Sequence, residues 1–447
     1  MAAPVSNQPR RRGARPPEPP LPVRLRRMDE DRMRRYRDNL DFYEGRQWPG
    51  RARRGERRLT FNYAKAFADK ITGYLLTGLS VQVEARDGDT AAGRHRARAA
   101  ELALREVEAT NGLSQLDFET ELDCAVLGDA CYKVTWDAAE RQVRVTAPDV
   151  QGIYAWRVPD DPSRLTAVAS QYQVEEPGAS GLRPAPTTVT EYWTAEAFEV
   201  WHGEALARRE ANPYGVIPFV LFPNVREPKQ AWGTSDLPPL VESARELNRA
   251  YSQLSQILEL SGNPIAVLEG VDGSSDIAVE PGAVWEVPER ARAYLLDLLQ
   301  GGGGALHRDY IDLIYRTLHD LGESPRTAFG HNPQGLSGVA LNTELDPLAK
   351  KVARKRLIRG AAYERRAALI LRLLGRYGGL DIEGLRPVAT WGPVLPIDRS
   401  RQVADERSLV EAGIQSRRTA AAHLGSEDPE AEWARTVEER GTAAREG

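Results

Sequence analysis

The sequence predicts an α+β chain whose first half mixes helices with antiparallel strands and whose second half is dominated by long helices. Three observations carry this. Residues 130–202 hold a succession of short β-rich segments punctuated by Gly, Pro and Asp, the pattern of a strand meander. Residues 236–260, 307–321 and 345–377 are long stretches of helical character. The first two of these bracket a small β module.

In order, residues 1–27 form a Pro- and Arg-rich arm too polar to order itself. Helix is predicted from Met28 to Glu44. A second helix, Asn62–Thr77, carries Ala66, Phe67, Ile71 and Leu75 at helical spacing and stops at Gly78. A strand Ser80–Glu84 follows, then helices Ala91–Asn111 and Leu116–Leu127. Strands are predicted at Ala130–Trp136, Gln142–Thr146, Ile153–Arg157, Thr166–Val174, Thr187–Thr194 and Ala197–His202, with a loop at Pro177–Pro186. Asp236 is read as the N-cap of the helix to Leu260, with Pro238 and Pro239 in its first turn. Short β segments lie at Ile265–Glu269, Ala283–Val287 and Ala291–Asp297. Four glycines, Gly301–Gly304, hinge into the helix His307–Leu321. Residues 322–344 read as a Gly/Asn/Ser loop, long for a compact enzyme domain and natural in a ring oligomer with projecting parts. A very long helix, Leu345–Tyr377, is expected to kink at Gly360. A strand Val388–Trp391 and a helical tail from Arg399 close the chain.

With 41% hydrophobic and 28% charged residues, the 447-residue chain has material for a sizeable core. At roughly 100–200 residues per domain it holds two to four units. No run approaches the roughly 18 apolar residues that span a bilayer, and Met1–Arg15 is polar and basic, so neither membrane nor secretory signal is expected. Cys124 and Cys131 lie too far apart for a CxxC site and are expected as buried, reduced thiols. The net charge of −4 hides an asymmetry: residues 1–60 carry 17 Arg against 8 acidic residues, and residues 345–376 carry 10 cations against 2. Such clusters fit either solvated helix faces or a nucleic-acid or assembly partner.

No catalytic constellation is visible. There is no GxxxxGK[ST] phosphate loop, no HExxH, and the six histidines are scattered, so no cofactor, metal or catalytic residue is assigned. A DNA-processing enzyme (a recombinase or nuclease with a basic arm) remains the alternative, because Arg356, Arg359, Tyr363, Arg365 and Arg366 group on one helix.

Eight stretches fall in an order that carries a resemblance. They are Leu40–Trp48 (LDFYEGRQW), Asn62–Val83 (NYAKAFADKITGYLLTGLSVQV), Ala125–Trp136 (AVLGDACYKVTW), Gly215–Asn224 (GVIPFVLFPN), Trp232–Asp236 (WGTSD), Leu336–Leu341 (LSGVAL), Trp391–Asp398 (WGPVLPID) and Leu409–Thr419 (LVEAGIQSRRT). Together they resemble the portal family of tailed double-stranded DNA phages, in the branch typified by long-tailed Bacillus phages.

The resemblance implies a portal fold. Residues 28–235 and 345–397 would form the wing, the latter holding the long helix and final wing strand. Residues 236–262 and 304–325 would be the two stem helices, 263–303 a small α/β clip, 326–344 a tunnel loop, and 398–447 a short helical crown. It further implies a closed ring of twelve copies at one capsid vertex, a conduit for double-stranded DNA during packaging and ejection. The terminase large subunit, a head–tail adaptor, and the major capsid and scaffolding proteins would be its partners. Assembly would occur in the host cytoplasm, with ATP hydrolysis left to the terminase. The tunnel-loop candidates Asn332, Gln334, Leu336, Ser337, Gly338, Val339 and Asn342 are neutral, and Arg326 is the segment's one formal cation. Short neutral groups brush phosphates without the salt-dependent grip of an Arg-lined channel. Clip candidates are Ile265, Val267, Trp285, Val287 and Tyr294. Such short strands are marginal alone, so they would pair with a neighbour. Trp285 and Tyr294 fit either neighbour anchors or clip core. On the long helix, Lys350, Lys351, Arg354 and Lys355 are read as subunit or DNA contacts, in preference to stems snorkelling over a packed helix.

Overall fold

A computed structural model describes residues 18–88, 90–175, 186–262, 265–269, 292–296, 303–331, 338–395, 399–426 and 429–446. The chain divides into two compact units, Met1–Thr390 and Trp391–Gly447.

The first unit opens with a short helix, α1 (Leu21–Leu25), which corrects the expectation that residues 1–27 stay unordered throughout: Leu21 and Leu25 are buried with Tyr154 and Ala169. Helices α2 (Glu30–Tyr43) and α3 (Tyr63–Leu75) follow. Asn62 caps α3 by accepting the Lys65 N–H at 3.2 Å. Its apolar spacing buries Phe67, Ile71 and Leu75. Strand β1 (Ser80–Ala85) leads to α4 (Ala91–Asn111) and α5 (Leu113–Leu127). Gly112, left-handed at φ 60°, both ends α4 and starts α5, so α5 begins three residues before the expected Leu116.

Strands β2 (Asp129–Asp137), β3 (Gln142–Thr146), β4 (Ile153–Val158), β5 (Asp161–Glu175), β6 (Pro186–Trp193), β7 (Ala197–His202), β8 (Ala205–Ala211) and β9 (Phe219–Pro223) follow. They form an antiparallel five-stranded meander, β4-β5-β6-β7-β8, and a three-stranded sheet, β3-β2-β9. The loop expected at 177–186 lies outside the described residues except for Pro186, which opens β6. β10 (Val225–Arg226) pairs with β11 (Gly233–Thr234).

Helix α6 (Val241–Gly262) is preceded by a 3₁₀ turn, Pro238–Leu240. Asp236 is therefore not the N-cap expected of it; its carboxylate is used elsewhere. β12 (Ile265–Glu269) and β13 (Arg292–Leu296) pair antiparallel, Val267 opposite Tyr294. The middle segment expected at Ala283–Val287 lies outside the described residues. α7 (Gly303–Leu321) packs along α6.

Two expectations about the following segment are corrected. Residues 322–344 are not loop throughout: a 3₁₀ turn spans Arg326–Phe329 and a helix, α8, spans Gly338–Glu344. The long helix, α9 (Asp346–Leu373), runs unbroken through Gly360; the irregularity is a π turn at Leu374–Gly378. A lone Gly costs a helix about 1 kcal/mol, and Arg359 and Ala362, both fully buried, fix the backbone around it. β14 (Leu385–Thr390) returns to pair with β1. The main core lies where α9 meets α3, α5 and the β2–β9 sheet.

The second unit contains α10 (Arg399–Glu411), α11 (Arg417–His423) and α12 (Pro429–Glu446). Ser416 caps α11, and His423 meets Glu406 at 2.8 Å.

Candidate functional site: the buried charged face of the long helix

Helix α9 places Lys351, Lys355, Arg359, Tyr363 and Arg366 three or four residues apart, hence on one face. All five are buried. A buried charge persists only if it is paired and hydrogen-bonded, and here each one is. Lys355 pairs with Asp236 and donates to Asn224 Oδ1 at 2.8 Å. Lys351 lies 3.5 Å from Asp236 and donates to the Gly322 carbonyl at 3.1 Å. Arg359 Nε donates to Glu121 at 2.8 Å, and its Nη1 donates to the carbonyls of Pro223 (2.6 Å) and Asn224 (2.8 Å). Tyr363 donates to Glu121 at 3.0 Å. Arg366 pairs with Asp117, which also accepts the Tyr132 hydroxyl at 2.8 Å, and its guanidinium lies over the Tyr132 and Tyr363 rings.

The electrostatics follow from these contacts. Burial alone would raise the Asp236 pKa, but Lys355 and Lys351 outweigh it and hold the carboxyl down at about 2. Burial lowers the Lys355 pKa, and Asp236 offsets this in part.

The WGTSD segment ties α6 to this face. Trp232 stacks under the Arg32 guanidinium, 3.7 Å from ring centre. Gly233 approaches so closely that a Cβ there would strike the Gly128 carbonyl and Pro223. Its N–H donates to Asp129 at 2.8 Å. Asp129 also accepts the Tyr36 hydroxyl at 2.7 Å; burial pushes its pKa up to about 6 despite both donors. Ser235 donates to the Ala125 carbonyl at 3.0 Å, and Asp236 meets the two lysines. The stretch that leads into α6 is thus bolted to α5, β2 and α9. Through Lys351 and Gly322, α9 is also joined to the end of α7.

The expectation that Lys350, Lys351, Arg354 and Lys355 form one contact surface is corrected for two of them. Lys351 and Lys355 are spent inside the subunit. Lys350 and Arg354 are exposed, on Asp346 at 2.7 Å and Glu323 at 2.7 Å. Tyr363, the only conceivable nucleophile of the Arg/Tyr group, is 1% exposed and hydrogen-bonded to a carboxylate, which no substrate reaches. Local sequence did not reveal Asp117, Glu121, Asn224 and Asp236 as partners. The available signal was a ladder of cations at 351, 355 and 359 opposite an i,i+4 acid pair at 117 and 121.

Of the β-module candidates, Ile265 sits opposite Leu296, and Tyr294 is exposed with its hydroxyl on Glu269 at 3.2 Å. Trp285 and Val287 lie outside the described residues. So do Asn332, Gln334, Leu336 and Ser337; Gly338 and Val339 open α8, and Asn342 is exposed on it. Both cysteines are buried and free. Among the described residues, no group of His, Cys, Asp or Glu could hold a metal ion, and no helix is long and apolar enough to cross a membrane.

The family model described as phage portal protein, SPP1 Gp6-like, matches residues 24–446. No curated protein matches the chain.

Proposed function

Because this chain belongs to the phage portal protein family, SPP1 Gp6-like, and so has a portal role in the virion of a tailed phage, we propose how its parts divide that role. Twelve copies close into a ring at one capsid vertex, and double-stranded DNA passes through the centre. Residues 28–235 and 345–397 serve as wing, α6 and α7 as stem, 263–303 as clip, 326–344 as the channel-facing segment, and 398–447 as crown. The clip docks the terminase large subunit and later the head–tail adaptor, and the wing faces the major capsid and scaffolding proteins. The ring assembles in the host cytoplasm. It hydrolyses nothing itself: portal proteins are structural, and nothing found supports the recombinase or nuclease reading.

The observation that carries this reading is a family match over nearly the whole chain. The geometry supports it at one point in particular. The paired helices α6 and α7, with the antiparallel β12–β13 pair between them in sequence, are joined to the wing by the Asp236–Lys355 pair and by Lys351 donating to the Gly322 carbonyl. A stem so anchored would keep clip and channel segment in register as DNA moves. Electron microscopy of the purified chain tests the reading: rings with a central hole are expected, and a strictly monomeric species would overturn it.

A further inference from the structure

The helix pair α5–α9 carries two more charged features, on its outer sides. An α-helix turns about 100° per residue, so positions two apart lie about 200° apart. On α9, Arg359, Tyr363 and Arg366 face α5. Ala361, Arg365 and Ala368, each two positions further on, face away. There they line a cavity of about 580 Å³ together with Arg157, Arg226 and Arg386.

Among the described residues, none of these four arginines forms an ion pair with a carboxylate. Arg157 donates to the Pro162 carbonyl at 2.8 Å and Arg365 to the Ala361 carbonyl at 3.1 Å. The one acid lining the cavity, Glu364, accepts from the Ala389 N–H at 3.3 Å. Partial burial and then the Arg226 charge lower the Arg365 pKa. The pocket is therefore a cluster of mutually repelling cations, which the buried Asp129 carboxylate offsets only at Arg157 and without an ion pair.

The opposite side of the pair mirrors it. On α5, Asp117 and Glu121 face α9, so Glu119 and Asp123, two positions on, face away. Asp149, at the turn before β4, lies near them. All three are exposed, and among the described residues none forms an ion pair. Glu119 accepts from Gln115 at 2.8 Å and Asp149 from the Gln151 N–H at 2.9 Å. The Asp123 carboxyl is pushed up to about 6, by surrounding protein first and then by the charges of Asp149 and Glu119.

A contact that closes a ring head-to-tail needs two different, complementary patches on one protomer. Resting on the ring reading above, we propose that the acidic patch of Glu119, Asp123 and Asp149 on one protomer docks in the arginine pocket of Arg157, Arg226, Arg365 and Arg386 on the next. The apolar surroundings favour a protein occupant over DNA phosphates. Leu221, Ile358 and Pro387 line the pocket. Leu357, one helical turn before Ala361, is 80% exposed, and Phe118, next to Glu119 in sequence, is exposed too, apolar surface that phosphate would leave unused.

The test uses the full chain. Arg226→Glu/Arg365→Glu and Glu119→Lys/Asp123→Lys are each expected to cut ring yield at least tenfold at a concentration where the wild type is assembled. An equimolar mixture of the two is expected to restore rings, because alternating protomers re-create an acid–base pair at every interface. The single changes Arg226→Glu and Glu119→Lys, both at exposed positions, keep the test decisive should a double variant not fold: each raises the monomer fraction severalfold, and mixing lowers it again. Wild-type rings with unaffected variants, or no rescue on mixing the single variants, would overturn the pairing alone. Normal ring yield with lost binding to a short DNA duplex would assign the pocket to phosphate and likewise overturn it. A wild type that forms no rings would sink the ring reading and the pairing with it.

Discussion

Helix α9 buries five charged or polar side chains on one face and finds a partner for each within its own subunit. Helix α7 does the reverse: it leaves Leu306 and Leu313 exposed at 72% and 60%, with Tyr310 between them and Leu321 beyond on the same stripe. By composition alone, the cations Lys350, Lys351, Arg354 and Lys355 of α9 read as a contact surface. The structure changes that assignment for one face of α9 only: Lys350, Arg354 and Arg365 stay outward, while α7, packed along α6 through Ile311, Ile314 and Leu318, keeps an apolar stripe outward. Charge that is spent inward makes a rigid frame, because a buried ion pair tolerates little displacement. Apolar surface that is left outward marks where something else must pack.

The largest effect should come from breaking that frame. Arg359→Met leaves Glu121, fully buried, with the Tyr363 hydroxyl as its one remaining side-chain partner among the described residues. Stranding one member of a buried pair costs about 3–5 kcal/mol, whereas replacing both by apolar groups is often close to neutral. Urea unfolding should therefore show a large loss for Arg359→Met and recovery of most of it in Arg359→Met/Glu121→Leu. A loss below about 1 kcal/mol in the single variant would mean that the stripe does not hold the wing together.

A smaller effect separates charge from packing at the same face. Asp236 titrates at about 2 in the fold, below its ordinary value of 3.8. A depressed acid stabilises fully above the unfolded pKa and loses that contribution as pH falls through the folded one. So about 2 kcal/mol of stability should disappear between roughly pH 4 and pH 2. Asp236→Asn should be destabilising at pH 7 and much less so, relative to wild type, at pH 2.5. Equal penalties at both pH values would show that the carboxylate charge contributes nothing.

Much of the fold was legible because its signals are local. Ala91–Asn111 and Gln142–Thr146 have the bounds that their caps and alternation predict. Strand β8 (ALARREA) was missed because all seven residues are exposed and show no apolar alternation. Helix α8 was missed because a Gly- and Asn-containing stretch lacks a helical stripe. The candidate site was the least legible part. Lys355 and Asp236 are 119 residues apart in sequence, and Arg359 and Glu121 are 238 apart. A cation on a helix is ordinarily solvated, and only the tertiary fold brings these acids to it.

The smallest expected effect on the subunit is also the sharpest test of the contrast between the inward face of α9 and the outward stripe of α7. In Leu306→Ser/Leu313→Ser, two exposed side chains lose apolar surface that is already in contact with water. Exposed substitutions usually change stability by no more than about 0.5 kcal/mol, so the unfolding midpoint of the subunit should hardly move. The assembled state should respond instead, with rings dissociating at lower denaturant or on milder dilution than wild-type rings, as followed by light scattering. If the double variant instead unfolds much more easily while its ring behaviour is unchanged, α7 is packed within its own subunit. The outward-facing stripe would then be a structural element like α9, and the contrast between the two helices would fail.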